Sequence, residues 1–188
     1  ECLAEPSRIQ RYRERVEMNK TVGGLLTRMH HIGVMVKDVD EAVEYYQSLG
    51  IGPFGPSNLV HVDREVRGKP APDVQNLARV TTLGPIGFEV VQAISGESVQ
   101  KEFLERRGEG INHTCFVVDD IHEAIEMMAE AGFKPISYAN NVGGGGVAYF
   151  DTDRVGGVQI ELEQIPPHLD DDPYWGLKPW LQPAPQTG

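Results

Sequence analysis

The two halves of this chain are copies of one another, and this repeat constrains the fold more than any other feature of the sequence. Segment 31–50 aligns without a gap on segment 113–132, with seven identities in twenty positions. A second pair, 83–92 and 155–164, matches in the same order and shares Gly84 with Gly156, Glu89 with Glu161, and Gln92 with Gln164. Two ordered matches indicate one module that has been duplicated and fused.

Each copy has the same order of predicted elements. An alternating apolar run predicts a strand, an Asp-rich turn follows, and a helical periodicity then ends at Gly50 or Gly132, a residue type common just after a helix. Three further strands are predicted in each copy, at 59–66, 78–83 and 87–92 in the first and at 134–138, 146–151 and 157–163 in the second. The sequence therefore predicts an α+β fold in which two βαβββ modules curl a mixed sheet around a shared cleft.

The repeat divides the chain into five segments. They are an N-terminal extension at 1–28 that is expected to be helical, a first module at 29–93, a linking helix within 94–111, a second module at 112–165 and a Pro-rich tail at 166–188. The tail is expected to be extended, with Trp175 and Trp180 docking it onto the body, because large aromatic side chains gain most from burial.

Composition excludes several classes of protein. The chain has 188 residues and a net charge of −11, so it lacks the basic surface that binding to a phosphate backbone requires. No apolar run approaches the roughly 18 residues of a membrane span. Cys2 and Cys115 do not form a disulfide framework, which favours a reducing compartment. We therefore expect a cytoplasmic protein with neither nucleic acid nor a membrane as its partner.

Strand alternation gathers four polar residues on one face of the predicted sheet. Side chains alternate between the faces of a strand, and the rows expected to point away from the helices contain His31, Glu89, His113 and Glu161. A wet sheet face is the ordinary explanation for any one of them, but the matched types in both copies favour a site. Two imidazoles and two carboxylates suit a divalent first-row metal, with Co²⁺, Ni²⁺, Mn²⁺, Zn²⁺ and Fe²⁺ all open.

Two neighbours of these residues are expected to have other roles. His30 has the parity of the helix-facing row, and its counterpart in the second copy is Asn112. We therefore expect His31 to be the ligand and His30 to be a strand-edge residue. Cys115 shares the row of His113 without an obvious base beside it, so it is expected to pack in the cavity rather than act as a nucleophile.

Three motifs resemble the vicinal oxygen chelate superfamily, which contains glyoxalases, bleomycin resistance proteins and extradiol dioxygenases. They are HHIGVMVKDVDEAVEYY, GEGINHTCFVVDDI and VGGVQIELEQ, and within the superfamily they resemble methylmalonyl-CoA epimerase most. The likeness covers about residues 29–165 and implies a glyoxalase-like fold. Carried over by motif, the family's metal ligands fall on His31, Glu89, His113 and Glu161. The resemblance also implies a homodimer.

The resemblance further implies a metal-dependent enzyme that abstracts a proton α to a carbonyl. It would be an epimerase, an isomerase or a glyoxalase-type lyase acting on a small molecule, for example an acyl-CoA thioester such as methylmalonyl-CoA. Glu161 is the first choice for the catalytic base and Glu89 the second. An extradiol-type dioxygenase is an alternative, although a fourth ligand at Glu89 occupies a position that O₂ chemistry needs. A ligand-sequestering resistance-type protein and a metal-free structural or regulatory domain are two more.

Substrate contacts are the least constrained part of the sequence analysis. Arg67 belongs to a basic loop in an otherwise acidic chain, and Gly144 and Gly145 belong to the run NVGGGG. These residues are candidates for binding an anionic substrate, since glycine-rich backbone can cradle a phosphate. A solvated loop and a flexible hairpin turn are the ordinary alternatives, because the run lacks the lysine of a phosphate-binding loop.

Overall fold

The computed structural model of the protein describes residues 22–173, 175 and 176. Ten strands form one mixed sheet in the order β2-β5-β6-β1-β7-β10-β9-β8-β3-β4. The strands are β1 (Met29–Met35), β2 (Gly55–Pro56), β3 (His61–Val66), β4 (Lys69–Pro70), β5 (Gln75–Leu83), β6 (Ile86–Ser95), β7 (Gly110–Val117), β8 (Pro135–Asn141), β9 (Gly146–Phe150) and β10 (Gln159–Gln164). The helices are α1 (Val39–Ser48), α2 (Val99–Arg107) and α3 (Ile121–Glu130), and Pro167–Leu169 forms a 3₁₀ turn. The predicted α+β fold with one mixed sheet is confirmed.

The sheet repeats the duplication seen in the sequence. The two modules meet where β1 pairs antiparallel with β7. Outside this seam, β1 pairs parallel with β6 and β7 pairs parallel with β10. The registers are equivalent, since Gly33 lies opposite Glu89 and Cys115 lies opposite Glu161. The duplicated modules therefore place equivalent side chains at equivalent points on the two sides of the seam.

The helices of both modules begin in the same way. The Oδ1 atom of Asp38 accepts hydrogen bonds from the backbone N–H groups of Asp40 and Glu41, both at 3.0 Å. Asp120 does the same for the two residues that follow the start of α3. An N-cap aspartate satisfies amide groups that have no partner within the helix and stabilises the helix by about 1 kcal/mol. The shared aspartate is thus explained by helix initiation, not by catalysis.

Each module has its own hydrophobic core between the sheet and its helix. In the first module, α1 covers Val34, Val36, Phe88 and Val90 of β1 and β6. In the second module, α3 covers β7, β9 and β10, with Phe150 and Leu162 fully buried. Helices α1 and α3 thus occupy one face of the sheet and leave the opposite, concave face for the polar rows. On that concave face, Phe103 of α2 packs against Met35 and Val91.

The segment between α1 and β5 does not fold as expected. Residues 59–66 were expected to form a strand of the first module, but β3 pairs with β8 at the edge of the second module. The short strand β2 takes the place beside β5 in the first module. The loop is long enough to cross the cleft, and β3 supplies partners for the edge of β8 that would otherwise remain open. We call residues 61–70 the crossing hairpin.

The two termini are only partly described. The helical prediction for 1–28 and the docking of Trp180 concern residues that mostly lie outside the described part of the chain, although residues 22–25 are helical. Trp175 is 3% exposed and packs with Val80, Val117 and Leu169, so its predicted docking is confirmed. Within the residues that the structure describes, no helix is long and apolar enough to cross a membrane.

Candidate metal centre

The four residues singled out by repeat and parity converge at the middle of the concave face. The Nε2 atom of His31 lies 3.5 Å from Oε2 of Glu89 and 3.2 Å from Oε2 of Glu161. The Nε2 atom of His113 lies 3.3 Å and 3.1 Å from the same two oxygens. The two Nε2 atoms are 3.2 Å apart. We call these four residues the quartet.

Strand position explains why the quartet forms. Its members sit on four consecutive strands, β6, β1, β7 and β10, two from each module. Both histidines are fully buried, and Glu89 and Glu161 are 6% and 3% exposed. Four titratable groups so far from water cost free energy unless they are paired or coordinate a metal.

Gly33 makes room for one of the imidazoles. It lies opposite His113 across the β1–β7 seam. A methyl group built at Gly33 would lie 1.9 Å from Cε1 and 2.0 Å from Nε2 of His113. Any larger residue would therefore displace the ring. This close approach depends on the β1–β7 register, so the sequence alone does not reveal it.

The position of His30 differs from the prediction. A β-bulge between Met29 and His31 inserts one extra residue into β1, and such a bulge breaks the alternation of side chains. The Nδ1 atom of His30 consequently lies 2.9 Å from Nδ1 of His31 in the buried interior. The prediction of a strand-edge, helix-facing residue was wrong because parity does not hold through a bulge.

The ionisable groups of the quartet strongly perturb one another. Although burial opposes its charged form, the adjacent carboxylates of Glu161 and Glu89 raise the pKa of His31 to about 10. Burial also opposes ionisation of Glu89, but His113 and His31 hold the pKa of that carboxyl well below its usual range. The pKa of Glu161 is lowered for the same reason, with His113 the largest favourable influence against burial. Both carboxylates are therefore ionised near neutral pH.

The donor set fits a divalent metal ion. Oxygen and nitrogen donors about 2.0–2.2 Å from one ion lie roughly 2.8–3.6 Å from one another in tetrahedral or octahedral arrangements. The four separations between a histidine Nε2 and a carboxylate Oε2, 3.1–3.5 Å, fall within this range. His31, His113 and Glu161 form the tightest set, with all three ligand atoms within 4.8 Å of one another. Moreover, the buried Oε2 atom of Glu161 has no hydrogen-bond partner among the described residues. Ligand atoms that lie this close together without forming well-aligned hydrogen bonds are typical of side chains that point at one metal position.

A second group of buried residues lies beneath the quartet. His30, His31, Cys115 and Glu163 have possible ligand atoms within 4.8 Å of one another. Burial raises the pKa of the Cys115 thiol, and burial together with Glu161 and Glu89 raises the pKa of Glu163 to about 8. Both groups are therefore protonated at neutral pH, which makes them poor ligands. We assign this group to the support of the quartet, in agreement with the packing role predicted for Cys115.

Trp175, which lies in the C-terminal tail, covers the side of the site formed by His30 and His31. Its indole N–H donates to Oε1 of Glu163 at 3.4 Å, and its backbone oxygen lies 3.2 Å from Nε2 of His30. Its ring centroid is 5.0 Å from that of His31 and 5.5 Å from that of His30. The tail is thus part of the site's wall, a role that the sequence indicated only as docking.

The raised pKa of Glu163 predicts that the metal-free protein loses stability as pH rises. Between about 4.5, its ordinary pKa, and about 8, its pKa in the fold, the unfolded carboxyl ionises while the folded one stays protonated. The folded state then binds more protons, so the free energy of unfolding falls across this window. Glu163→Gln removes this titration. We expect its melting temperature, measured by differential scanning fluorimetry, to fall less between pH 5 and 8 than that of the parent protein.

The exposed Glu130 provides the control for this measurement. Glu130→Gln keeps the buried carboxyl, so it should retain the pH dependence of the parent protein. Parallel melting curves for Glu163→Gln and the parent would contradict the assignment of a protonated Glu163.

A cavity of about 740 Å³ adjoins the quartet. Glu89 and Glu161 line it, whereas the two histidines lie behind them. Other parts of its wall come from the crossing hairpin, which contributes His61, Asp63 and Arg64, and from β5. A volume of this size is that of a small-molecule site.

The predicted substrate residues do not lie at this cavity. Arg67 is exposed and pairs with Glu102 on α2, with 2.5 Å between Nη2 and Oε2. Gly144 and Gly145 lie in the turn between β8 and β9, and neither lines the cavity. The structure instead brings Arg64 of the crossing hairpin to the cavity wall.

A family model described as the glyoxalase/bleomycin resistance protein/dioxygenase superfamily matches residues 30–150. Among curated proteins, the chain is similar to mitochondrial methylmalonyl-CoA epimerase of Bos taurus, at 27% identity over 144 residues that cover 74% of this chain and 75% of the relative. It is also similar to ethylmalonyl-CoA/methylmalonyl-CoA epimerase of Cereibacter sphaeroides, at 25% identity over 146 residues that cover 75% of this chain and 100% of that protein.

Among solved structures, the fold is similar to that of methylmalonyl-CoA epimerase from Mycobacterium tuberculosis. The TM-score is 0.53 at 22% identity, and the match covers 78% of this chain and 93% of that one. At this identity the likeness concerns the fold alone.

Proposed function

This chain belongs to the glyoxalase/bleomycin resistance protein/dioxygenase superfamily, and we propose that it is a metal-dependent epimerase of an acyl-CoA thioester with an acidic α-carbon. Methylmalonyl-CoA is the first substrate to test, because the similar proteins from Bos taurus and Cereibacter sphaeroides are named as epimerases of this thioester. The observation that carries the proposal is that two ionised carboxylates of the quartet face one cavity while its two imidazoles are buried behind them.

The arrangement of the carboxylates suits epimerisation. Glu89 and Glu161 come from β6 and β10, which are separated in the sheet by two other strands. Each is held ionised, so each can accept a proton from a substrate in the cavity. One carboxylate can remove the α-proton, and the other, after taking a proton from water in the cavity, can return that proton to the opposite face of the carbanion. The first carboxylate then releases its proton to water, so the protein ends each turnover unchanged. The net reaction inverts the α-carbon and consumes no oxidant or reductant.

His31, Glu89, His113 and Glu161 are the residues that would hold the metal. A bound divalent ion supplies Lewis-acid stabilisation of the enolate oxygen that develops as the α-proton leaves. The protein's own residues exclude water from the buried side of the site. The full burial of both imidazoles and the cover of Trp175 keep water from the back of the quartet, which strengthens the electrostatic interactions at the reacting centre.

The cavity wall supplied by the crossing hairpin favours an anionic substrate. Arg64 lines it, and no described carboxylate forms an ion pair with its guanidinium within 4.0 Å. Arg64 is partly buried, and burial lowers its pKa. In a chain of net charge −11, a cationic group at the cavity wall is suited to a carboxylate or phosphate group of an acyl-CoA.

The test is hydrogen–deuterium exchange at the substrate α-carbon. Metal-loaded protein in D₂O should exchange the α-proton of methylmalonyl-CoA, as followed by NMR, and should exchange propionyl-CoA, which lacks the α-carboxylate, far more slowly. Glu89→Gln and Glu161→Gln should each lower the rate by at least about 100-fold, the lower range for loss of an acid–base group. The metal content of each variant is measured in parallel.

A variant of the exposed Glu126 is the control for this assay, and Glu126→Gln should exchange at the parent rate. Absence of exchange by fully loaded protein, for both thioesters, would overturn the proposed epimerase. Stoichiometric binding of an acyl-CoA without exchange would instead favour the ligand-sequestering alternative.

A further inference from the structure

Each histidine of the quartet follows a polar residue that sits on a β-bulge. In β1 the extra residue is His30, between Met29 and His31. In β7 the extra residue is Asn112, where the register shifts between the pairs Gly33–His113 and Val34–Ile111. The repeat offset that superposes His31 on His113 also superposes His30 on Asn112. The duplication has therefore preserved a bulge next to each histidine while the residue on the bulge has changed.

The bulge residue contacts the same ring atom in both copies. Nδ1 of His30 lies 2.9 Å from Nδ1 of His31. Oδ1 of Asn112 lies 3.0 Å from Nδ1 of His113. All four side chains are at most 2% exposed, so water does not compete for these contacts. One ring nitrogen of each quartet histidine thus has a fixed partner within the protein, and Nε2 faces the quartet.

Hydrogen-bond roles determine the tautomer of His31. A carbonyl oxygen only accepts, so Nε2 of His30 donates its hydrogen to the backbone oxygen of Trp175, 3.2 Å away. A neutral His30 then has only a lone pair on Nδ1. That lone pair accepts the Nδ1 hydrogen of His31. The second nitrogen of His31, Nε2, can then bind an ion once it has released the hydrogen that the neighbouring carboxylates hold there in the metal-free protein.

The same result follows more directly in the second copy. The amide oxygen of Asn112 accepts the Nδ1 hydrogen of His113. This leaves Nε2 of His113 to bind an ion. An imidazole relay in one module and a single amide in the other therefore present the quartet with two equivalent nitrogen lone pairs.

Resting on the metal site of the proposed function, we propose that His30 and Asn112 are equivalent positioning residues that fix the orientation and tautomer of His31 and His113. In the first module the relay ends at the backbone of Trp175, so the tail contributes to the metal centre. A turn holds that carbonyl in place, because the Trp175 N–H donates to Oδ1 of Asp172 at 2.8 Å and the Gly176 N–H donates to the Asp172 oxygen at 2.7 Å.

Metal affinity is the measurement that tests this proposal. Loss of a partner that orients a metal-binding histidine typically lowers affinity 10- to 100-fold, so His30→Leu and Asn112→Leu should each weaken Zn²⁺ and Co²⁺ binding by about that factor in a competition titration with a chromophoric chelator. His30→Asn should restore the parent metal affinity to within about threefold. Asn112, on the equivalent bulge of β7, shows that an amide at this position reaches the neighbouring imidazole.

The conservative variant separates positioning from packing. Asparagine is smaller than histidine, so a packing role predicts that His30→Asn loses affinity at least as much as His30→Leu. The d–d absorption spectrum of bound Co²⁺ should change in the leucine variants and be retained in His30→Asn. Should His30→Leu fail to fold, His30→Asn and Asn112→Leu decide the question alone. Parent affinity in the leucine variants, or a loss in His30→Asn equal to that in His30→Leu, would overturn the proposal.

A second measurement needs no metal. Long-range ¹H–¹⁵N NMR spectra of the metal-free protein should show a hydrogen on Nδ1 of both His31 and His113, and a lone pair on Nδ1 of either ring would overturn the proposal. Tight metal binding without α-proton exchange would overturn the proposed epimerase and leave the positioning roles intact. Parent metal affinity in all variants would overturn the positioning roles and leave the proposed epimerase intact. Absence of metal binding by the parent protein would overturn both proposals.

Discussion

His113→Ala is expected to abolish tight binding of a divalent metal and, with it, α-proton exchange. The substitution removes one of two buried nitrogen donors and leaves Glu89 and Glu161 without a partner that lies 3.3 Å and 3.1 Å from them. Loss of a residue that only orients a metal ligand lowers metal affinity by about 10- to 100-fold. Loss of the ligand itself should therefore lower metal affinity by more than about 100-fold. Elemental analysis of the purified variant and titration with Co²⁺ measure the effect.

Two further variants make this result interpretable. His122 is an exposed histidine at the start of α3, and His122→Ala should keep the parent's metal content and activity. His31→Ala should behave like His113→Ala, because the two residues occupy equivalent places in the duplicated modules. Undiminished metal content in His113→Ala would favour the metal-free structural domain over the enzyme.

Gly33→Ala is expected to lose metal to nearly the same extent as His113→Ala, although glycine contributes no ligand. The added methyl group would overlap the His113 ring at 1.9–2.0 Å, so this fully buried ring has to shift from its place beside Glu89 and Glu161. Overpacking of this kind typically costs about 1–3 kcal/mol of stability. The variant should therefore fold with a lowered melting temperature and bind metal at least about 100-fold more weakly.

Gly24→Ala is the matched control, since a methyl group built there meets no atom within 4 Å. It should bind metal as the parent does. A Gly33→Ala protein with the parent's affinity would show that the His113 ring can rotate away and still bind, which contradicts the fixed geometry of the quartet.

The quartet was predictable because it depends on two regularities that act along the chain. Alternation decides which side of a strand a residue faces, and the repeat pairs His31 with His113 and Glu89 with Glu161. The predicted family resemblance is confirmed by the match over residues 30–150. The homodimer, the cytoplasmic location, the domain boundaries and the identity of the metal remain predictions.

The errors arose where a local regularity was interrupted or where distant segments met. Alternation placed His30 on the wrong side because a bulge adds one residue to β1 without any sign in its hydrophobic pattern. The strand at 61–66 was predicted, but not its partner, because β-pairing between distant segments depends on which edge is open in the folded sheet. Arg64 consequently reaches the cavity while Arg67, three residues later, pairs with α2.

Two patterns in the amino-acid sequence, a duplicated module and the period of its strands, were therefore sufficient to deduce the α+β fold and the four residues at its centre. Both patterns are local or repeat at a constant spacing, so they can be read without coordinates. The support of the quartet by His30, Asn112, Gly33 and Trp175, and the closure of the cavity by the crossing hairpin, required the folded chain. These contacts join residues up to 145 positions apart, as His30 and Trp175 are, and such contacts form only when distant segments of the chain have folded together.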